Sequence, residues 1–337
     1  MYRAKAPCSS DRPGWPRLIG DIGGTNIRFA WLEQAGEAFG HVRVLASEAF
    51  VGPAHAIGHY LAQTGLPRPD CVALGLASPV RGDAVTMTNL AWKFSVEGLR
   101  AEFGLQHLLV VNDFAALALA IPTLSSDRLR SIGPRESARH GPIGLLGAGT
   151  GLGVSGLLPV PGQPGRWVPV MGEGGHVTLA AESELEFAII QFIKRRHDHV
   201  SAERVLSGVG LVELYDALNH AEGQKGQASI SAAEIMEWGV RQPSSAARRV
   251  LELFCGWLGS VAGNVALTLG AHGGVYIGGG IAPRMREVLI QSSFRQRFVD
   301  KGRFRTYLEG VPTWLIDSVD WPTLNGAALA LEWSCES

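Results

Sequence analysis

Apolar residues run through this chain in short blocks broken by glycine turns, and two of the blocks fold back on themselves. Residues 18–32, LIGDIGGTNIRFAWL, read as an apolar strand, a Gly23-Gly24-Thr25-Asn26 turn and a second strand. Residues 143–158, IGLLGAGTGLGVSGLL, repeat the scheme around Gly149-Thr150-Gly151. Between the two hairpins, strands and helices alternate. Residues 41–50, 71–80, 83–88 and 108–112 read as strands, with 83–88 alternating like an edge. Residues 54–64 and 96–103 carry helical periodicity. That alternation predicts a mixed α/β sheet covered by helices.

The stretch 122–142 is interrupted by Pro, Ser and Arg and reads as a domain boundary or hinge. After the second hairpin the chain turns helical. Ser183 with Glu186, and Ser231 with Glu234, fit capping boxes ahead of apolar-periodic runs. A long periodic helix is expected from about 245 to 269. GGVYIGGG at 273–280 reads as a buried strand ending in a glycine turn, with a helix from Pro283. A last apolar helix covers 324–333. The only internal repeat is the loose likeness of the halves: strand, Gly-Thr turn, strand.

Composition narrows the classes. The chain has 337 residues, 46% of them apolar and 18% charged, enough for two domains and a large core. A net charge of −1 gives no pull toward nucleic acid or an acidic membrane. Cys8, Cys71, Cys255 and Cys335 form no Cys-x-x-Cys pair, which argues against a zinc site or a disulfide framework and for reduced thiols in the cytoplasm. Every long apolar stretch is interrupted by polar residues, so no membrane helix is expected. The opening MYRAKAPCSSDRPGWPR has no apolar signal core, and 1–17 reads as a disordered lead-in.

Glycine turns suit phosphate, because backbone N–H groups reach an anion where no Cβ intervenes, and the Thr hydroxyl adds a donor. Two of them suggest two half-sites on one polyphosphate. No Gly-Lys dipeptide exists, so the G-x-x-x-x-G-K-[ST] loop is absent. Gly151, Gly153 and Gly156 match G-x-G-x-x-G formally, but LLPVPGQPG follows, and its prolines cannot open the helix that dinucleotide binding requires. Asp21, ahead of the first turn, reads either as a turn cap or as a carboxylate holding Mg²⁺ through water. Asp113, after the apolar run 108–112, reads as an N-cap or as a catalytic carboxylate; the adjacent Asn112, able to orient the same substrate, tips the reading to catalysis. Glu173 and His176 stand in a glycine-rich turn, either a plain surface turn or a pair suited to sugar hydroxyls, which both donate and accept. Taken singly, Glu203 and Asn89 read as structural, Glu203 as an acid in a first helical turn.

Several blocks in order resemble the bacterial ATP-dependent glucokinase family of the hexokinase/actin-like ATPase superfamily. They are GDIGGTNIRFA, SPVRGDAVTMTNLAWKFS, VVNDFAALALAIP, GAGTGLGVSGL, GEGGHVTLA, HVSAERVLSGVGLVELY, GGVYIGGGIAPR and DKGRFRTYLEGVP, and the likeness runs from 18 to 333. It implies a two-domain actin-like (ribonuclease H-like) α/β fold with a central interdomain cleft. The small domain would comprise 18–122 with 318–337, and the large domain 123–317. Gly23, Gly24, Thr25 and Asn26 match the first phosphate turn, Gly149, Thr150 and Gly151 the second, and Gly278 and Gly279 the adenosine-side turn. Asp21 joins the nucleotide set. Asn112 matches the sugar-binding Asn and Asp113 the catalytic base. Glu173, His176 and Glu203 match further sugar contacts, which overrides the structural reading of Glu203, and Asn89 is placed with them. Mg²⁺ would come with ATP, with no other prosthetic group and no zinc. The resemblance also implies a cytoplasmic homodimer acting on glucose and ATP.

Three departures stand out: a longer N-terminus, a Pro/Gly-rich stretch at 159–167, and no Cys cluster like that of the related zinc-bearing repressor/kinase family. None touches a matched catalytic position. The rival readings are a kinase for another hexose or phosphoryl donor, and a non-catalytic sugar sensor. For the sensor, the lead-in is too short to hold a helix-turn-helix.

Overall fold

The computed structural model describes residues 2–5, 14–134, 140–224, 230–317 and 321–334. The chain divides into two compact units: Met1–Leu124 with Val319–Ser337, and Ser125–Ser318. Cys8 and Cys335 lie outside the described residues, while Cys71 and Cys255 are buried free thiols.

The first unit is built on strands β1 (Tyr2–Lys5), β2 (Arg17–Ile22), β3 (Asn26–Leu32), β4 (Gly40–Ala46), β5 (Cys71–Leu76) and β8 (His107–Asn112), in the order β1-β8-β5-β2-β3-β4. A separate two-stranded ribbon pairs β6 (Ala84–Thr86) with β7 (Lys93–Ser95). β2, β5 and β8 run parallel, and β5 is buried at every position, as a central strand covered on both faces must be. The first hairpin forms as its sequence predicts, with Ile22 opposite Ile27 and Asp21 opposite Arg28. The unit's helices are α1 (Pro53–Thr64), α2 (Val96–Phe103) and α3 (Asp113–Ala120). The C-terminal helix Pro322–Trp333 packs on α3, so closely that a Cβ on Gly326 would run into the Ala116 carbonyl.

The lead-in needs correction. Tyr2–Lys5 is a strand, antiparallel to β8 with Tyr2 opposite Val110. It covers the free backbone edge that β8 would otherwise present. Nothing in its own composition signals this, because the partner lies a hundred residues away. The expected strands 41–50 and 71–80 also end early. Ser47–Ala49 forms a 3₁₀ turn, and the chain leaves the sheet after Leu76.

The second unit holds β9 (Leu129–Ser131), β10 (Ile143–Ala148), β11 (Leu152–Pro159), β12 (Trp167–Met171), β13 (Val275–Gly278) and β14 (Thr313–Ile316), in the order β12-β11-β10-β13-β14-β9. Its hairpin and two following parallel strands reproduce the order and directions of β4-β3-β2-β5-β8, so the loose repeat in the sequence is a duplicated sheet. Each copy carries one extra antiparallel strand on its last parallel strand, β1 on β8 and β9 on β14.

Helices α4 (Glu184–Lys194), α5 (Ala202–Val205), α6 (Gly208–Ala221), α7 (Ala232–Arg241) and α8 (Ala246–Leu269) follow, then α9 (Arg286–Gln291) and α10 (Phe294–Val299). The helix expected from Pro283 opens as a 3₁₀ turn, Ala282–Met285, before α9. Among the described residues α8 is the one helix long and apolar enough to cross a membrane, and most of it is buried inside this unit. Phe254, Trp257 and Leu258 form its core face. Gly259 and Gly263 let α10 approach so near that a Cβ on either would strike the carbonyls of Phe294 and Phe298.

Of the two expected capping boxes, that of Ser231 and Glu234 is complete. At the other, Ser183 accepts from Glu186 N at 3.2 Å, but the Glu186 carboxylate turns to Glu182 N (2.7 Å) and to the Arg297 guanidinium. The half-buried arginine outcompetes the local reciprocal bond, because a charge-assisted bond to the buried Glu186 carboxylate is the stronger of the two.

Candidate active site

In the first unit the chemistry collects at the carboxyl ends of β2, β5 and β8, where open α/β sheets place their ligands. The Gly23-Gly24-Thr25 turn closes with Gly23 N donating to Asn26 O (2.9 Å). Buried Ser47 grips it from both sides: its Oγ donates to Gly23 O (2.8 Å) and its N to Thr25 O (2.9 Å). Thr25 is exposed at the tip. Gly24 rests on Asn89; a Cβ there would come within 2.9 Å of the Asn89 Cβ. Asn89 thus lies against the first glycine turn.

At the end of β8, Asn112 rather than Asp113 caps α3. Asn112 Oδ1 accepts from Phe114 N (3.0 Å) and Ala115 N (3.2 Å). Its Nδ2 donates to Asp113 Oδ1 (3.1 Å) and reaches the Ser78 carbonyl at 3.4 Å. Asp113 Oδ1 also accepts from Phe114 N (2.9 Å). Burial and then the negative charge of Asp21 push Asp113 up to about 7. Those two causes outweigh the lowering effect of its hydrogen bonds.

Asp21 itself pairs with Arg28 across the hairpin, Arg28 Nη1 to Asp21 Oδ2 at 2.9 Å. Burial raises its pKa, and the guanidinium offsets this only in part. Arg28 lies over the Trp321 ring, 4.8 Å from the centroid, and its Nε is buried without an acceptor among the described residues. A hollow elsewhere in this unit, beside Gly52, His55, Lys93, Leu99 and Glu102, includes none of these residues.

The second unit repeats the arrangement. The Gly149-Thr150-Gly151 turn closes with Gly149 N donating to Gly151 O (2.8 Å). It stands next to Gly278 and Gly279, because β10 and β13 run parallel with Gly147 opposite Gly278. Gly279 adopts φ +81° and abuts the Ala148 backbone, so only glycine fits. Glu203, in the first turn of α5, accepts from Leu152 N through Oε2 (2.8 Å), and its Oε1 stands 3.9 Å from His176 Nε2. His176 closes the 3₁₀ turn Gly174–His176, with its N donating to Glu173 O (3.0 Å); Glu173 and His176 are both exposed. Glu203, His176 and the second glycine turn are therefore neighbours, and Glu173 is one turn away.

Sequence reasoning passed over Ser47, Arg28 and Gly208, whose N donates to Gly149 O at 2.8 Å. Arg28 was within reach, since it faces Asp21 across a hairpin whose register the apolar pattern sets. Ser47 and Gly208 carried no signal, because each meets a turn distant in the chain.

Among the described residues no three His, Cys, Asp or Glu side chains converge as a metal cage. The donor at the first turn is instead the Asp21 carboxylate, beside a glycine turn with backbone N–H groups. That set suits Mg²⁺, which binds through few carboxylates, water and substrate phosphate.

Residues 18–333 match the family described as Glucokinase. The chain is 47% identical over 319 residues to the glucokinase of Aromatoleum aromaticum, covering 94% of this chain and 95% of that one. It is 46% identical over 317 residues to the glucokinase of Chromobacterium violaceum, covering 94% and 89%. The crystal structure of glucokinase from an Antarctic psychrotroph superposes with a TM-score of 0.83 at 36% identity, covering 94% of this chain and 98% of that one. With its duplicated mixed sheet, its paired glycine turns and these likenesses, the chain has the actin-like ATPase fold and belongs to the glucokinase family.

Proposed function

We propose that this chain transfers the γ-phosphoryl group of Mg-ATP to the 6-hydroxyl of glucose, giving glucose 6-phosphate and ADP. The observation that carries the reading is Asp113: a carboxylate held by Asn112 at the carboxyl edge of the sheet that bears the first glycine turn, and pushed up to about 7. A general base is most effective with a pKa near working pH. In this reading Asp113 takes the proton of the sugar hydroxyl as the O6–Pγ bond forms and the bond from Pγ to the ADP oxygen breaks. In the same reading Asn112, Glu173, His176, Glu203 and Asn89 are the sugar contacts.

The two glycine turns, with Gly278 and Gly279, hold the nucleotide through backbone N–H groups. Asp21, kept in place by Arg28, would hold Mg²⁺ through water. When bound, that ion neutralises charge on the β- and γ-phosphates. The protein's remaining task is positioning and exclusion of water, so turnover is expected to depend on bound sugar. We further infer a cytoplasmic homodimer, on the family resemblance.

The test is ADP release from Mg-ATP by the purified protein without sugar, then with glucose, mannose, fructose or N-acetylglucosamine. Turnover strongly favouring glucose, with little ATP hydrolysis in its absence, is the expected result. No turnover with any sugar would overturn the reading. Light scattering of the same sample gives its subunit number.

A further inference from the structure

The segment 200–208 fastens together two turns that belong to different substrates in the reading above, on which this inference rests. At its start Leu179 N donates to Val200 O (3.0 Å) and Ala202 N to Val177 O (2.9 Å), which ties it to the turn bearing Glu173 and His176. At its end Gly208 N donates to Gly149 O (2.8 Å). Between them Glu203 faces both ways. Its Oε1 is on the His176 side at 3.9 Å. Its Oε2 accepts from Leu152 N at 2.8 Å, the first residue after the phosphate turn. The Gly149-Thr150-Gly151 turn is therefore held at one end by Gly208 and at the other by Glu203. The Glu203 carboxylate also occupies the space where a Cβ on Gly151 would stand.

We propose that Glu203 is a positioning residue that couples the sugar to the nucleotide: a sugar held by one carboxylate oxygen fixes the other oxygen on the phosphate turn. A carboxylate is rigid and planar, so hydroxyls donating to Oε1 restrict where Oε2 points. Oε2 in turn sets the position of Leu152 N and the closure of the turn, whose N–H groups would face the nucleotide. The linkage is reciprocal: whatever factor the sugar adds to nucleotide affinity, the nucleotide adds to sugar affinity. A residue that served only as a sugar contact would leave the empty phosphate turn unaffected.

Titration calorimetry with two probes separates the cases: glucose with no nucleotide, and adenylyl imidodiphosphate with Mg²⁺ and no sugar. Glu203→Ala removes the acceptor from Leu152 N and is expected to weaken analogue binding without sugar about tenfold. Glu203→Gln keeps an oxygen for Leu152 N, so it restores analogue binding while glucose binding stays impaired. Gly151→Ala places a methyl where the Glu203 carboxylate sits, and is expected to weaken glucose binding about tenfold with no nucleotide present. Wild-type analogue affinity in Glu203→Ala, or wild-type glucose affinity in a folded Gly151→Ala, overturns the proposal. Should Gly151→Ala not fold, the Glu203 pair decides alone. Wild-type protein that binds neither probe would refute the kinase reading itself, which distinguishes the two failures.

Discussion

Asn112 caps the helix that begins at Asp113 and at the same time holds the Asp113 carboxylate by one oxygen. Asn112 Oδ1 takes Phe114 N and Ala115 N, and its Nδ2 holds Asp113 Oδ1 at 3.1 Å. The neutral amide does the capping that Asp113 could have done itself. The acid is thereby fixed in orientation at that oxygen.

Asp113→Ala removes the proposed base. The expected loss in kcat is two to four orders of magnitude, roughly the range for one positioned base. Glucose KM should change far less. Steady-state kinetics with coupled ADP detection checks both. Activity within tenfold of wild type would refute the assignment.

Because Asp113 is pushed up to about 7, the base loses its ionised form as pH falls through neutrality. The acid limb of kcat/KM for glucose should therefore lie at about 7, far above the ordinary carboxylate range. Asp21→Asn removes the charge that helps raise it, so the limb should move to lower pH. A profile from acid to alkaline pH reads this directly. A wild-type limb near the ordinary aspartate value would contradict it.

The same shift has a stability consequence. Unfolded, Asp113 titrates at about 3.9; folded, at about 7. Between those values the folded chain keeps a proton that the unfolded chain releases. Its contribution to stability therefore falls as pH rises through that window and stays low above it. Asp113→Asn should melt above wild type at alkaline pH, with the gap closing toward the ordinary aspartate value. Calorimetric melts at both ends test the sign, and a lower Tm for the variant at alkaline pH would oppose it.

Glu173 is exposed on the turn next to His176 and Glu203. Glu173→Gln should raise KM for glucose more than KM for ATP, since it loses a charged acceptor for sugar hydroxyls but no nucleotide contact. Equal effects on both constants would remove it from the sugar set.

Gly326 allows the C-terminal helix to meet α3 at the Ala116 carbonyl. Gly326→Ala inserts a methyl where backbone already stands, and overpacking of this kind costs about 1–3 kcal/mol or more. The expected result is a clearly lowered Tm, because the packing partner of α3 would be displaced. An unchanged Tm would mean that the helices do not meet at this point.

Much of the site was written locally. Both hairpins, the glycine turns at 23–25 and 149–151, the turn at Gly278 and Gly279, and the Asn112-Asp113 pair could be read from the apolar pattern. Each needs only its own neighbours: an apolar strand to end, and residues without Cβ where backbone must turn or come close. The rest was decided by residues far apart in the chain. β1 finds β8 across more than a hundred residues. Ser47 grips a turn 24 residues away. Arg297 draws Glu186 out of its capping box from 111 residues away. Glu203 reaches Leu152 across 51 residues. The raised pKa of Asp113 likewise rests on burial and on the charge of Asp21. Like-charge repulsion and desolvation act through space, so they exist only once the sheet has set which strands lie side by side.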